Sequence, residues 1–548
     1  MQPDPSPAEP YDAVIIGGAI AGAGTAITLL RKHPAARVLV VERSERFEKK
    51  VGEATVECSA LWLTAALGLG RTLAEHHLPK HGLRFFFDEG RGGDLADLDE
   101  LGPKRQAAMT SFHLDRPRLD GQALAAAADR GAEVARPAAV RGIELADAAA
   151  GRPLHRLTVE AAGAEPREVA ARWLIDASGR RGVLARKLGL QEKLADHPIS
   201  SSWARWDGVA DADGPAVQGP DPADPRMPRI PAPRGLSTNH FCGHGWWSWV
   251  IPLKGGRTSV GLTFDRRLFE PPPLSASRAG SQKQRYEAFV RSAPGLSTLL
   301  ADATMDASDF AAYRDCAFRS TAYAGEGWAL VGDAASFLDP LYSPGLDHVA
   351  FSSYATAAMV ADDLAAGGEP SARAAAVTRH NAEFVRSYEN WYAAIYRGKY
   401  ALLGDPELLT ASYFMDIGSY YFGVLDSVVR GLDGFRRPPM GGLDLPSRVA
   451  PRVLAAVKDR MIRLAGVRRE LGLTGPGRAA AGGAPRRRLA GSFELGPTAI
   501  RRYALGVRLW LRTEAATALA RAKRGRRPGL AEGPGAAAGP NLRPAAAA

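Results

Sequence analysis

Tyr11-Asp12-Ala13-Val14-Ile15-Ile16-Gly17-Gly18-Ala19-Ile20-Ala21-Gly22 is the stretch on which the fold turns. A β-branched apolar run reads as a buried strand, glycines follow at once, and the residues from about Ile20 to Arg31 keep helical spacing. A second strand, Arg37 to Val41, ends in Glu42, twenty residues after Gly22. This order is the dinucleotide fingerprint. Glycines let the backbone approach a pyrophosphate, the helix N-terminus offers amide donors, and Glu42 can accept from a ribose hydroxyl. Ala19 stands where a second glycine is usual. The uncharged run from Ala13 to Leu30 is long enough for a membrane span, but its glycines and strand-like start fit a nucleotide turn better.

The rest of the composition narrows the class. At 548 residues the chain is expected to form two or more joined domains, and 46% hydrophobic with 24% charged residues is ordinary for a globular protein. Cys58, Cys242 and Cys316 are an odd number at no metal-ligand spacing, so no metal site and a reducing, cytoplasmic compartment are expected. Residues 1–10 lack the basic start of a secretory signal and read as a disordered N-terminus. The net charge of +11 lies in the tail, where residues 478–548 hold 14 Lys/Arg against three Glu. A solvated, disordered end is the plain reading of those charges. Docking on an acidic carrier is the functional alternative, membrane contact is conceivable but not expected, and no fold or aromatic platform for nucleic acid accompanies them.

Further along, a helix is expected near Ser59 to His76, a strand at Gly82 to Phe87 and a helix from Arg118 to Arg130. Alternating runs follow through Val134 to Val140 and Leu157 to Ile175. Apolar residues alternate from Ser200 to Phe264 as in an antiparallel sheet, interrupted by a Pro-rich loop at Gly219 to Gly235. A strand at Trp328 to Val331 leads into a glycine turn and a helix around Gly345 to Leu364. From Ala374 to Ile462 the pattern is helical and rich in aromatics, which at such spacing are more often core than binding site.

Two more motifs give the fingerprint context. Ile175-Asp176-Ala177-Ser178-Gly179 closes one strand, and Trp328-Ala329-Leu330-Val331-Gly332-Asp333 closes another. With the fingerprint, in this order, they resemble the three signatures of FAD-dependent flavoproteins of the hydroxybenzoate-hydroxylase fold, a resemblance covering Tyr11 to Leu364. It implies an α/β (α+β) class: a Rossmann-like FAD-binding domain over 11–195 and 319–365, interleaved with an antiparallel-sheet substrate domain over 196–318. A helical C-terminal region over 366–475 and a basic, largely disordered tail over 476–548 follow, the tail with a candidate amphipathic helix at 498–521. The cofactor residues it implies are Gly17, Gly22, Glu42, Arg43, Arg116, Asp176, Gly179, Gly332, Asp333, Gly345 and Leu346. Only one fingerprint is present, so reduced FAD is expected from a separate flavin reductase, although single-component hydroxylases of this fold also lack a second one.

In Trp247-Ser248-Trp249-Val250-Ile251-Pro252, alternation puts Trp247, Trp249 and Ile251 on one face of a strand that Pro252 ends. Alone, this reads equally well as a buried Trp-rich strand. With Val51-Gly52-Glu53-Ala54-Thr55 and Leu78-Pro79-Lys80-His81-Gly82, it resembles the WxWxIP, VGEAT and lysine elements of flavin-dependent halogenases. That resemblance implies a halogenase using FADH2, O2 and chloride or bromide on a small electron-rich aromatic, phenol- or pyrrole-like, free or held on an acyl or peptidyl carrier protein, in secondary metabolism. Lys80 is then the catalytic residue, which hydrogen-bonds a hypohalous acid or is halogenated on nitrogen, and the Trp-rich strand screens substrate from flavin. An ordinary lysine with a snorkelling stem is the alternative. His240 and His244 read as structural histidines before proton carriers.

The loop Leu338-Asp339-Pro340-Leu341-Tyr342-Ser343-Pro344-Gly345 resembles the family's halide-binding segment, with Ser343 and Gly345 as candidates. Pro344 lacks the N–H that such a site uses, and a lost donor in a buried anion site costs roughly 1–3 kcal/mol. Tyr342 stands where tryptophan halogenases carry a glutamate, which argues against free tryptophan. Asp339 and Asp347 are candidate proton handlers or turn caps. A monooxygenase or dehydrogenase without halide use remains the alternative enzyme, and a catalytically lost assembly partner the non-enzymatic one.

Overall fold

The computed structural model describes residues 9–87, 95, 98–103, 109–147, 150–214, 233–275, 279–474, 488–490 and 497–525. Its class is the mixed α/β one expected. Tyr11–Ile16 pairs in parallel with both Val38–Val41 and Arg167–Asp176, and the sheet extends in parallel to Glu133–Ala135 on one side and Trp328–Leu330 on the other. A parallel strand at the centre is covered on both faces and so reads as continuous apolar sequence. Ala13, Ile15, Val38 and Val40 join one core cluster, and Val14, Ile16, Leu39 and Val41 join another. Helices Ile20–Lys32 and Gly345–Ala365 pack together over the first face.

The second sheet is built on Ile199–Asp207, Thr258–Asp265, Trp246–Pro252 and Thr238–Gly243, paired antiparallel in that order. Thr238–Gly243 then runs parallel to Leu83–Phe87, which brings the neighbourhood of Lys80 to this sheet. Along Trp246–Pro252 the side chains divide by the two-residue repeat. Trp247, Trp249 and Ile251 face the main core, while Trp246 and Val250 join a separate cluster against helix Gln282–Ser292.

Local chemistry revises three expectations. The single helix over Ser59 to His76 is instead Glu57–Leu61, a π-helical turn at Trp62–Ala66 and Gly70–His76, interrupted at Gly68, whose φ is +76°. A left-handed residue cannot continue a right-handed helix, and glycine takes it without strain. The run from Leu157 to Ile175 is a hairpin, His155–Ala161 with Arg167–Asp176, turning through residues that include Gly163. Within the tail, Arg488–Ala490 pairs in parallel with Asp99–Gly102, and Pro497–Gly525 is a helix packed on Pro406–Tyr420. The expected Pro-rich loop and the remainder of the tail lie largely outside the described residues, as do residues 1–8. Among the described residues, no helix is long and apolar enough to cross a membrane.

Candidate functional site

Two cavities meet at the segment from Asp333 to Gly345. The larger, about 820 Å³, is lined by the fingerprint turn, Glu42, Arg43, Gly52, Arg116, Ser178, Gly179 and the Trp247, Trp249 and Ile251 side chains. The smaller, about 240 Å³, holds Lys80 among Tyr396, Tyr413, Tyr420 and Tyr421. Asp333, Phe337, Asp339 and Gly345 line both.

The larger cavity fits FAD on its own geometry. Gly17 has φ +104°, and a Cβ there would meet the Ala177 carbonyl oxygen at 2.5 Å; a Cβ on Gly22 would meet the Gly17 oxygen at 1.8 Å. Nothing larger than hydrogen fits at either position, so these two glycines let the turn close on the neighbouring strand and on the first turn of its own helix, which sets Gly17 at the cavity wall. Ala19 is tolerated at the second glycine position because its φ is an ordinary −68°. Glu42 accepts the N–H groups of Gly18 and Ser44, each at 2.8 Å, which fixes its carboxylate at the cavity edge with acceptor capacity left over.

Arg116 donates to the carbonyls of Val51 and Gly52 and to Asp120, so its guanidinium ties the VGEAT segment to the cofactor cavity. Asp120, which the sequence reading passed over, also accepts the N–H of Ile20 at 3.0 Å and pairs with Lys50 at 2.5 Å. Its acidic position four residues after Arg116 was the available signal. Asp176 does not line either cavity. It is fully buried and accepts from Ser178 and Leu184, so it shapes the loop that presents Ser178 and Gly179. Gly332 likewise sits behind Asp333, and Leu346 reaches the larger cavity. Pro252 ends its strand beside Thr258.

Lys80 is 1% exposed, so it is not a snorkelling surface lysine. Leu78–Lys80 pairs with Ser111–His113, Thr55 docks on Phe112, and Lys80 Nζ donates to the Thr55 carbonyl at 2.6 Å. Burial pushes Lys80 down to about 8, with Glu57 and Asp347 holding it up. Three sequence-distant segments are needed to make this pocket.

Trp247 and Trp249 are spoken for by polar partners as well as packing. Trp249 Nε1 donates to Ser259 Oγ at 3.1 Å, and Trp247 Nε1 donates to Tyr400 at 3.1 Å. His240 is buried on Phe85, makes its Nδ1 contact with the Arg84 carbonyl and is pushed down to about 3 by burial, while His244 lines neither cavity. His240 therefore stays neutral over the physiological range.

The loop between the cavities departs from a simple amide cradle. Tyr342 and Ser343 have φ of +70° and +59°, a left-handed pair of non-glycine residues. The Ser343 N–H is taken up by the Pro340 carbonyl at 3.0 Å, and Pro344 has none. The first-turn amides of the helix opened by Gly345, those of Gly345, Leu346 and Asp347, lack an intrahelical acceptor, the first such bond running from His348 N–H to the Pro344 carbonyl. Tyr342 reaches Asp416 at 3.3 Å, and Asp416 is bound by both Lys399 and Lys458, a buried group with no sequence motif.

Residues 10–353 match the FAD binding domain family. The chain is 27% identical over 370 residues to a flavin-dependent halogenase of Dictyostelium discoideum, covering 62% of this chain and 58% of that one. It is 28% identical to the tetracycline 7-halogenase of Kitasatospora aureofaciens over 65% of each chain. It is 26% identical to a pyrrole-2-carbonyl peptidyl-carrier-protein chlorinase of Pseudomonas fluorescens, over 70% of this chain and 82% of that one. The chain thus spans less than two thirds of the length of the first two relatives. Among solved structures, a halogenase in complex with phloroglucinol and FAD superposes with a TM-score of 0.63 at 18% identity, covering 92% and 96% of the two chains. At that identity the likeness speaks for the fold.

Proposed function

Because the chain belongs to the FAD binding domain family, we propose that it is a flavin-dependent halogenase that places chloride or bromide on an electron-rich, phenol- or pyrrole-like aromatic. The observation that carries this reading is the buried Lys80, held in a tyrosine-lined cavity that shares one loop with the cofactor cavity. Gly17, Glu42, Arg43, Arg116, Gly179, Asp333, Gly345 and Leu346 would hold FAD, with Gly22, Asp176 and Gly332 shaping the turn and loops behind them. Bound reduced FAD with O2 and a halide ion supplies hypohalous acid. Halide would rest on the amides of Gly345 and Leu346, since Ser343 N–H is committed.

Trp247, Trp249 and Ile251 fill the wall of the cofactor cavity and keep an organic substrate out of it, so the small oxidant must travel to the cavity of Lys80. There the ammonium donates a hydrogen bond to the hypohalous oxygen, orients it and protonates the departing hydroxide. The surrounding tyrosine faces exclude water and stack the ring. A separate flavin reductase is the electron source that goes with this reading, and the substrate is free or carried on an acyl or peptidyl carrier. Three buried free cysteines go with a reducing, cytoplasmic compartment.

The experiment is product formation from a phenol panel with FAD, flavin reductase, NADH and O2, in chloride, bromide or neither. Halide-dependent product that disappears in Lys80→Ala, with flavin reoxidation intact, supports the reading; oxygenated product without halide dependence replaces it with a monooxygenase. The committed Ser343 amide and Pro344 are the specific observations on the side of that second reading.

A further inference from the structure

The smaller cavity contains an acid that the steps above do not use. Asp347, third residue of the helix opened by Gly345, lines the cavity that holds Lys80 and is 9% exposed. An acid in a first helical turn ordinarily serves its own helix N-terminus. Here Oδ1 instead accepts the N–H of Ser59 at 2.8 Å, across to helix Glu57–Leu61. That bond, together with one from the Ser59 side chain, fixes the carboxyl at the cavity wall, and Asp347 makes no ion pair with a lysine or arginine among the described residues. The groups facing Asp347 are Glu57 and Cys58 from that helix, Lys80 from its short strand, and Tyr396 and Tyr420 from the helical region. A buried carboxyl without a cation partner, aimed at the space a substrate would fill, has the placement of a base.

We propose that Asp347 accepts the ring-hydroxyl proton of a phenolic substrate in the cavity it shares with Lys80, a step that rests on the halogenase reading. Loss of the O–H proton to Asp347 leaves the electron pair on oxygen, which feeds the ring. The ring carbon takes the halogen, the oxygen–halogen bond breaks with both electrons on oxygen, and the hydroxide so formed takes a proton from Lys80 and leaves as water. The Lys80 amine then removes the proton from the halogenated carbon, restoring aromaticity and its own charge. Asp347 returns its proton to the product oxygen. Burial supports this assignment by raising Asp347 to about 7 against its two bonds to Ser59, so that it exchanges protons near neutrality.

The test is Asp347→Asn, which keeps an oxygen to accept the Ser59 N–H and so preserves a purely structural role. Rates of bromination are measured for phenol, neutral at the assay pH, and for fluorinated phenols already ionised there. The expected result is a loss of about 100-fold or more for phenol and of less than about threefold for the ionised members. An equal loss across the series overturns the proposal. Alongside, 4-nitrophenol is titrated by absorbance in the FAD-loaded protein without halide or reductant. Its ionisation midpoint is expected to differ by about one pH unit or more between wild type and Asp347→Asn, as two acids in contact share a first proton. An unchanged midpoint overturns the role of Asp347 whether or not the protein halogenates. Absence of halide-dependent product in the wild type, with a shifted midpoint, instead sinks the halogenase reading and keeps the acid as the group that binds the hydroxyl.

Discussion

The indole N–H of Trp247 donates to the hydroxyl of Tyr400 at 3.1 Å, joining the Trp-rich strand to the C-terminal helical region. Tyr400 passes the connection on to Asp339 at 3.3 Å, and Asp339 also contacts His197 at 2.9 Å and accepts the N–H of Leu341 at 2.8 Å. Asp339 borders both cavities. The wall of the cofactor cavity and the loop between the cavities are thus braced by one buried polar chain, whose members are 5% exposed or less. Such chains are costly when half made, because an unpaired buried donor keeps its desolvation penalty.

Tyr400→Phe is therefore expected to destabilise the fold by about 1–3 kcal/mol in urea denaturation, since it strands the Trp247 indole N–H. Adding Trp247→Phe should cost less than the sum of the two single changes, because the second removes the stranded donor. Full additivity would show that the bond carries no coupling.

Lys80 has a stability signature separate from activity. Its folded pKa of about 8 lies below the ordinary lysine value, so the penalty for keeping it charged is complete below about pH 8 and fades as pH rises toward the unfolded value. Lys80→Met should be more stable than wild type by roughly 1–3 kcal/mol at neutral pH. The advantage should shrink above pH 8 in a series of denaturation curves, while the proposed halogenation is lost throughout.

The proposed halogenation of a neutral phenol should follow a bell-shaped pH profile. Asp347, raised to about 7, acts as a base only once deprotonated, and Lys80, lowered to about 8, donates only while charged. The rate should rise through the first value and fall through the second. Asp347→Asn should remove the rising limb for phenol; a profile with both limbs intact in that variant would detach Asp347 from the reaction.

Asp416 holds two buried lysines, Lys399 and Lys458, and touches Tyr342 in the strained loop. Burial lowers Lys399 and Asp416 opposes that shift. Asp416→Asn leaves two cations without their anion and should cost about 3–5 kcal/mol. Lys399→Met in the same background should recover part of it, read from urea midpoints.

The glycine turn gives a paired test. Gly22→Ala forces a Cβ against the Gly17 carbonyl, whereas Ala19→Gly relieves nothing because Ala19 sits in ordinary backbone. Purified Gly22→Ala should carry little or no flavin by absorbance, with affinity down about 100-fold or more, roughly 3 kcal/mol. Ala19→Gly should bind as wild type.

The sequence by itself determined what depends on local order: the strand–turn–helix of Tyr11 to Lys32, the face shared by Trp247, Trp249 and Ile251, and the missing donor at Pro344. Periodicity and backbone freedom are properties of neighbouring residues, and they survive in the written order of the chain. Tertiary structure alone decided that Lys80 is buried, because its surroundings come from Thr55, Ser111 and helices more than 250 residues away. It also turned Asp176 and the Ser343 N–H away from the ligand roles their motifs suggested, by engaging them in their own loops. Asp120, four residues after Arg116, and Asp347, beside the Gly345 turn, are legible as acids but their bonds to Ile20 and Ser59 are not, and Tyr400 and the Lys399–Asp416–Lys458 group belong to no motif, because segments distant in sequence leave no spacing to read. Burial and partner choice are set by which segments meet, and that is where the proposed chemistry of this protein resides.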